Sequence, residues 1–118
     1  MKGDDIKQRT KALALQILHL TNDLPKLYGS QVIGRQVVRS GTSVGANYRA
    51  ACRSSSNRDF VNKMKVVEEE LDETNYWLEL LAESHVYCYD KIEYLQQETT
   101  ELLKIIVQSI KTTRRNHS

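Results

Sequence analysis

The sequence has little proline, little glycine and almost no cysteine: one Pro, five Gly and two Cys in 118 residues, and no long apolar run. Each shortage excludes something. With Pro25 as its only proline the chain can hold long helices, because an interior proline removes a hydrogen bond and clashes with the preceding turn. Cys52 and Cys88 are too few for a disulfide framework and lack zinc-site spacing. They read as reduced thiols packed as small apolar groups, which suits a reducing cytoplasm. The amino-terminal MKGDDIKQR is charged where a secretory leader needs an apolar run, and no stretch is long enough to span a bilayer. A cytoplasmic protein outside the membrane is expected. The residues three before His19, His85 and His117 are Gln16, Ala82 and Arg114, so the Glu-x-x-His pairs of a di-iron bundle are missing. No phosphate-cradling glycine loop and no nucleophile elbow occur. The expectation is no metal, no cofactor and no catalysis.

What is there is helical periodicity. Four amphipathic segments are predicted, at about 4–23, 30–53, 57–84 and 90–113, in one domain over 1–118. In the first, Ile6, Thr10, Leu13, Ile17, Leu20 and Leu24 alternate four and three residues apart, and Ala14, Leu15 and Leu18 widen the apolar face. Pro25 ends that helix, and Ser30 is placed to cap the second. Ser56 with Asp59 opens the third, whose seam runs Phe60, Met64, Val67, Leu71, Thr74, Leu78, Leu81. Trp77, Leu80 and Tyr76 extend this seam sideways, a width that suits burial within one chain or between subunits. The connection at 85–89 leads to Asp90 and Glu93, a second capping-box pattern, and to Ile92, Leu95, Thr99, Leu102, Ile106 and Ile110. The last helix is expected to fray after Thr112. Four such helices joined by short links make an all-α, antiparallel up-down four-helix bundle.

The second segment carries most of the functional signal. At about 100° per residue, Arg35, Arg39, Arg49 and Arg53 fall within about 40° of one line. Ile33, Val37, Val44, Tyr48 and Ala51 lie opposite, and Gly34, Gly41, Gly45 and Cys52 form a small-residue track between. The track predicts close approach of another helix, and the Ser40-Gly41 pair is a candidate bend. Charge is also segregated along the chain. Eight basic residues and one acid lie between Lys26 and Lys65, but eleven acids and only Lys91 between Val66 and Glu101. Spaced guanidinium groups suit a phosphate backbone. The same groups suit pairing with the acidic third helix, within the chain or across an interface. With no aromatic cluster or base-reading motif, any nucleic-acid binding would follow backbone charge and shape.

The segment Ser43-Val44-Gly45-Ala46-Asn47-Tyr48-Arg49-Ala50-Ala51-Cys52-Arg53, then Ser55, Asp59-Phe60, Lys63 and Glu73-Thr74-Asn75-Tyr76-Trp77-Leu78, carries a resemblance. It resembles the bacterial four-helix bundle family encoded inside intervening sequences of large-subunit ribosomal RNA genes, over nearly the whole chain. The resemblance implies a ring-like homopentamer. A related branch, the accessory variability determinant of diversity-generating retroelements, partners a reverse transcriptase and binds nucleic acid through a basic surface. Many relatives carry Glu where this chain has Ala50, which leaves Arg49 or Arg53 freer here or alters local packing. The shared motif also has a packing reading: Gly45-Ala46 for close approach, Asn47 as a buried polar anchor, Ser56-Asp59 as a cap. The expected protein is a non-enzymatic homo-oligomer that binds structured RNA or DNA through Arg35, Arg39, Arg49 and Arg53, with Arg58 and Lys63 as second-rank contacts. The alternative is a protein-interaction scaffold, for instance an adaptor for a reverse transcriptase, with the same arginines in interfaces.

Overall fold

Apolar residues recurring every three or four positions can be buried together only if each segment is helical, and the structure realises this four times. The computed structural model describes residues 2–84 and 89–116. They form α1 (Lys2–Asn22), α2 (Tyr28–Cys52), α3 (Asn57–Glu83) and α4 (Tyr89–Asn116). Each helix packs on its chain neighbours, and α4 returns to α1, where the contact is sparsest. Along α2, Gly34 faces Leu24 and Thr21, Gly41 faces Ile17, and Gly45 faces Thr10, so α1 runs antiparallel to α2. Asp5 and Ile6 lie beside the end of α4, whereas His19 and Leu20 lie beside its start. The up-down bundle is 49 Å long and about 20 Å across.

The core is the predicted seam. Ile6, Leu13, Ile17, Leu20 and Leu24 of the α1 segment are buried, as are Met64, Val67, Leu71, Leu78 and Leu81 of α3. All six seam positions of α4 are buried, Thr99 included. At the predicted α3 start Ser56 accepts a hydrogen bond from the Asp59 amide at 3.1 Å. Trp77 packs half-buried against the core, with Tyr76 edge-on to it and half exposed.

Several local expectations are corrected. The cap of α2 is Leu27, in extended conformation, rather than Ser30. The Gln31 amide donates to Leu27 O and its side chain to Pro25 O, which starts the helix early and buries Ser30 in its first turn. Asp90 lies inside α4 rather than capping it; the residues 85–88 that precede it, with Cys88 and His85, lie outside the described residues, as does His117. α4 does not stop at Thr112. Thr113 donates to Ser109 O, and Arg114 with Arg115 complements the negative end of the helix dipole. Leu15 and Leu18 are exposed on the side of α1 that no helix covers. Cys52 is exposed rather than packed as a small apolar group. Asn47 is half-buried and donates to Ser43 O of its own helix.

One polar pair sits in the core. The Ser40 and Thr74 hydroxyls are 2.8 Å apart, and Thr74 is 2.7 Å from Glu70 O. A hydroxyl has one proton, so Thr74 donates to the carbonyl while accepting from Ser40. Thr74→Val therefore leaves the Ser40 hydroxyl only the Val37 carbonyl, 3.5 Å away, and is expected to cost about 1–2 kcal/mol in urea unfolding, with Ser40→Ala in the same chain restoring part of the loss. Gly41 gives the second test. A Cβ there would meet Ile17 Cδ1, whereas nothing lies within 4 Å of one at Gly29. Gly41→Val should destabilise by about 1–3 kcal/mol through overpacking. Gly29→Ala should instead stabilise, by up to about 1 kcal/mol, because it removes backbone freedom from an exposed helical position.

Candidate nucleic-acid interface

The four arginines of the α2 segment do not form one uniform surface. From Arg35 to Arg49 is about 21 Å along the helix axis at 1.5 Å per residue. Between them Arg39 is engaged: its guanidinium reaches Glu70 at 3.4 Å and Glu73 at 2.5 Å on α3. The hydrogen bond to Glu73 holds the Arg39 proton still more firmly than usual. Burial pushes the Glu70 carboxyl above the ordinary carboxylate range, and neighbouring Glu73 and Glu69 add to the shift against the opposing pull of Arg39. Lys63 pairs with Asp59 one turn earlier at 3.1 Å. Arg35, Arg49, Arg53 and Arg58 are exposed and, among the described residues, make no ion pair. Arg53 is the C-cap of α2, with φ −100° and ψ 13°, so it has already left the helical line on which the stripe was drawn.

Antiparallel packing gathers three of these cations at one end. The close of α2 brings Arg49 and Arg53 to the turn into α3, which opens with Arg58. The start of α1 and the close of α4 lie at the same end, the latter with Arg114. The acidic run Glu68–Glu73 and then Glu79 and Glu83 carry α3 away from it. Arg35 belongs to the other half, in a groove with Thr21, Leu24, Gly34 and Val38.

Sequence reasoning passed over two partners of Arg49. Lys7 and Lys11 of α1 line a groove of about 220 Å³ with Thr10 and Ala14, facing Thr42, Gly45, Ala46 and Arg49 of α2. Three cations from two helices converge there, with no carboxylate in the lining. The available signal was an i,i+4 lysine pair flanking Thr10 on the first helix.

Nothing in the described residues brings three His, Cys, Asp or Glu side chains together to hold a metal, and no helix is long and apolar enough to cross a membrane. A cavity of about 670 Å³ opens between α1 and α4 over Ile6, Tyr48, Met64 and Ile106. Burial first, then contact with Cys52, pushes the Tyr48 hydroxyl well above its ordinary pKa, so it is held neutral there. A shallower groove of about 400 Å³ on the same seam includes His19, Tyr94 and Asp90. Between the two, Arg9 grips Glu98 bidentately at 3.1 and 2.7 Å.

These features define an all-helical four-helix bundle with a cationic end. Residues 3–108 match the family described as 23S rRNA-intervening sequence protein, and the chain belongs to that family. It is similar to a protein of unknown function from the S23 ribosomal protein family of Bacteroides thetaiotaomicron, solved at 1.70 Å. The two are 35% identical, with a TM-score of 0.86 over 94% of this chain and 99% of that one. No curated protein matches.

The Glu70 shift predicts a pH dependence. A carboxyl whose folded pKa is raised binds its proton more tightly in the native state, so its contribution to stability falls as pH rises above the ordinary carboxylate value. Glu70→Gln removes that loss. Relative to the parent chain its stability should rise as pH increases above about 4, the ordinary carboxylate value, measured by urea unfolding at each pH.

Proposed function

We propose that the protein is a non-enzymatic nucleic-acid-binding bundle that contacts phosphates at the end where Arg49, Arg53 and Arg58 gather. The single observation carrying this reading is that exposed arginines from two elements, unpaired among the described residues, converge at one end while the α3 carboxylates other than Asp59, which pairs with Lys63, lie towards the other. Such an end attracts a polyanion. These cations, with no exposed aromatic ring among the described residues beside them for stacking, favour recognition of backbone and shape. The family's printed description refers to 23S rRNA, which makes structured RNA the first ligand to test. Arg35 is a peripheral contact in this reading, and Arg39 and Lys63 are structural.

A second reading has its own observation. Tyr28 and Tyr76 are 87% and 52% exposed, and Leu27 is 60% exposed, an apolar surface outside the bundle core. Surface of this kind suits self-association or a partner protein. The homopentamer implied by the family resemblance and the adaptor role, for example to a reverse transcriptase, are proposals of this class.

Fluorescence anisotropy with a structured RNA over a salt series, with light scattering for mass, separates the two. Expected is binding that weakens linearly in a log–log salt plot. Triple reversal of Arg49, Arg53 and Arg58 to Glu should abolish it with helicity unchanged, whereas Arg39→Gln should not weaken it. An assembly that ignores RNA at low salt would overturn the nucleic-acid reading and leave the scaffold.

A further inference from the structure

The groove between α1 and α2 has a shape as well as a charge. Its walls are the stems of Lys7, Lys11 and Arg49, and its floor is made of Thr10, Gly45 and Ala46. The floor is low because the helices are close: a Cβ added at Gly45 would stand 3.1 Å from Thr10 Oγ1. The Thr10 and Thr42 hydroxyls are turned inward to Lys7 O and Val38 O, so the donors left for a ligand are the three cations. Asp4 lies one turn before Lys7 and outside the lining. The volume, about 220 Å³, is below the ~300–1,000 Å³ of pockets that enclose a small organic ligand. A phosphate group, which needs cations on several sides and little depth, fits better than a base.

We propose that this groove is a phosphate seat, in which Lys7, Lys11 and Arg49 hold one phosphodiester of a bound nucleic acid between α1 and α2. This rests on the nucleic-acid reading above and adds to it a defined site and two residues of the first helix. Lysine supplies point charges and arginine a planar fork, so the three grip non-bridging oxygens from different directions. The neighbouring Arg53 then meets the next stretch of the backbone along the same end.

The test separates a shaped seat from diffuse charge. Ala46 is exposed on a helix, so Ala46→Leu keeps the fold and every charge while filling the groove. With the structured RNA used above, Ala46→Leu is expected to weaken binding about tenfold, the loss of one charged hydrogen-bonded contact. Lys7→Gln with Lys11→Gln should weaken it further and lower the salt slope by up to about one, because the three cations share a single phosphate. Arg35→Gln, a charge loss outside the groove, is the control for general electrostatics. If Ala46→Leu binds like the parent while the lysine pair behaves like Arg35→Gln, the seat is wrong and surface charge alone explains binding. If the parent chain takes up no RNA, the nucleic-acid reading itself has failed.

Discussion

The structure depends on how near α1 can come to α2. Gly34, Gly41 and Gly45 lie about two turns and then one turn apart on one α2 face, and α1 places Leu24, Ile17 and Thr10 against them. Three glycines weaken an isolated helix, each by up to about 1 kcal/mol relative to alanine. Close packing offsets this, because Ile17 fills the space a Cβ would take at Gly41 and is itself fully buried. The same approach sets the register of the first two helices. It also sets the depth of the groove that Lys7, Lys11 and Arg49 surround. Fold and candidate site therefore share one geometric cause.

The charge segregation of the sequence has two uses in the fold. Part is consumed internally: Arg39 crosses to Glu70 and Glu73 over the buried Ser40–Thr74 pair, so polar contacts at two depths pin α2 to α3. Part is left over at one end, where Arg49, Arg53 and Arg58 make no ion pair among the described residues. Two helices also finish at that end, and their last-turn bases are favoured there by the helix dipoles. A basic end is thus partly a consequence of helix physics, and its availability to a ligand follows from most of the acids being placed elsewhere: of those at the same end, Asp59 pairs with Lys63, and Asp4 and Asp5 open α1.

The α1–α4 seam is the least packed of the four. Cavities lie on either side of the Arg9–Glu98 clasp, and the larger one reaches Ile6, Met64 and Ile106 of the core. A partly exposed ion pair contributes little to stability by itself. Its place matters more here, since it is the bidentate bridge across a seam that apolar contact leaves thin.

The sequence by itself determined the helices, their apolar faces and the close approach at the glycine track. These follow from local periodicity: the spacing from Met64 to Leu81 has one low-energy way to bury its apolar side chains, and Ser56 with Asp59 marks a start on its own. It misplaced the ends of α2 and α4, where Gln31, Pro25 and Thr113 make contacts that no periodicity announces. Four arginines on one helical line were legible, but their fates were not. Arg39 and Arg49 look alike in sequence, and they part only because Glu70 and Glu73 sit across from the first while Lys7 and Lys11 sit across from the second. Those partners lie on other helices, far along the chain. Only tertiary packing decided which charge is neutralised and which is displayed, because an electrostatic interaction depends on distance in space and a helical pattern records only distance along the chain.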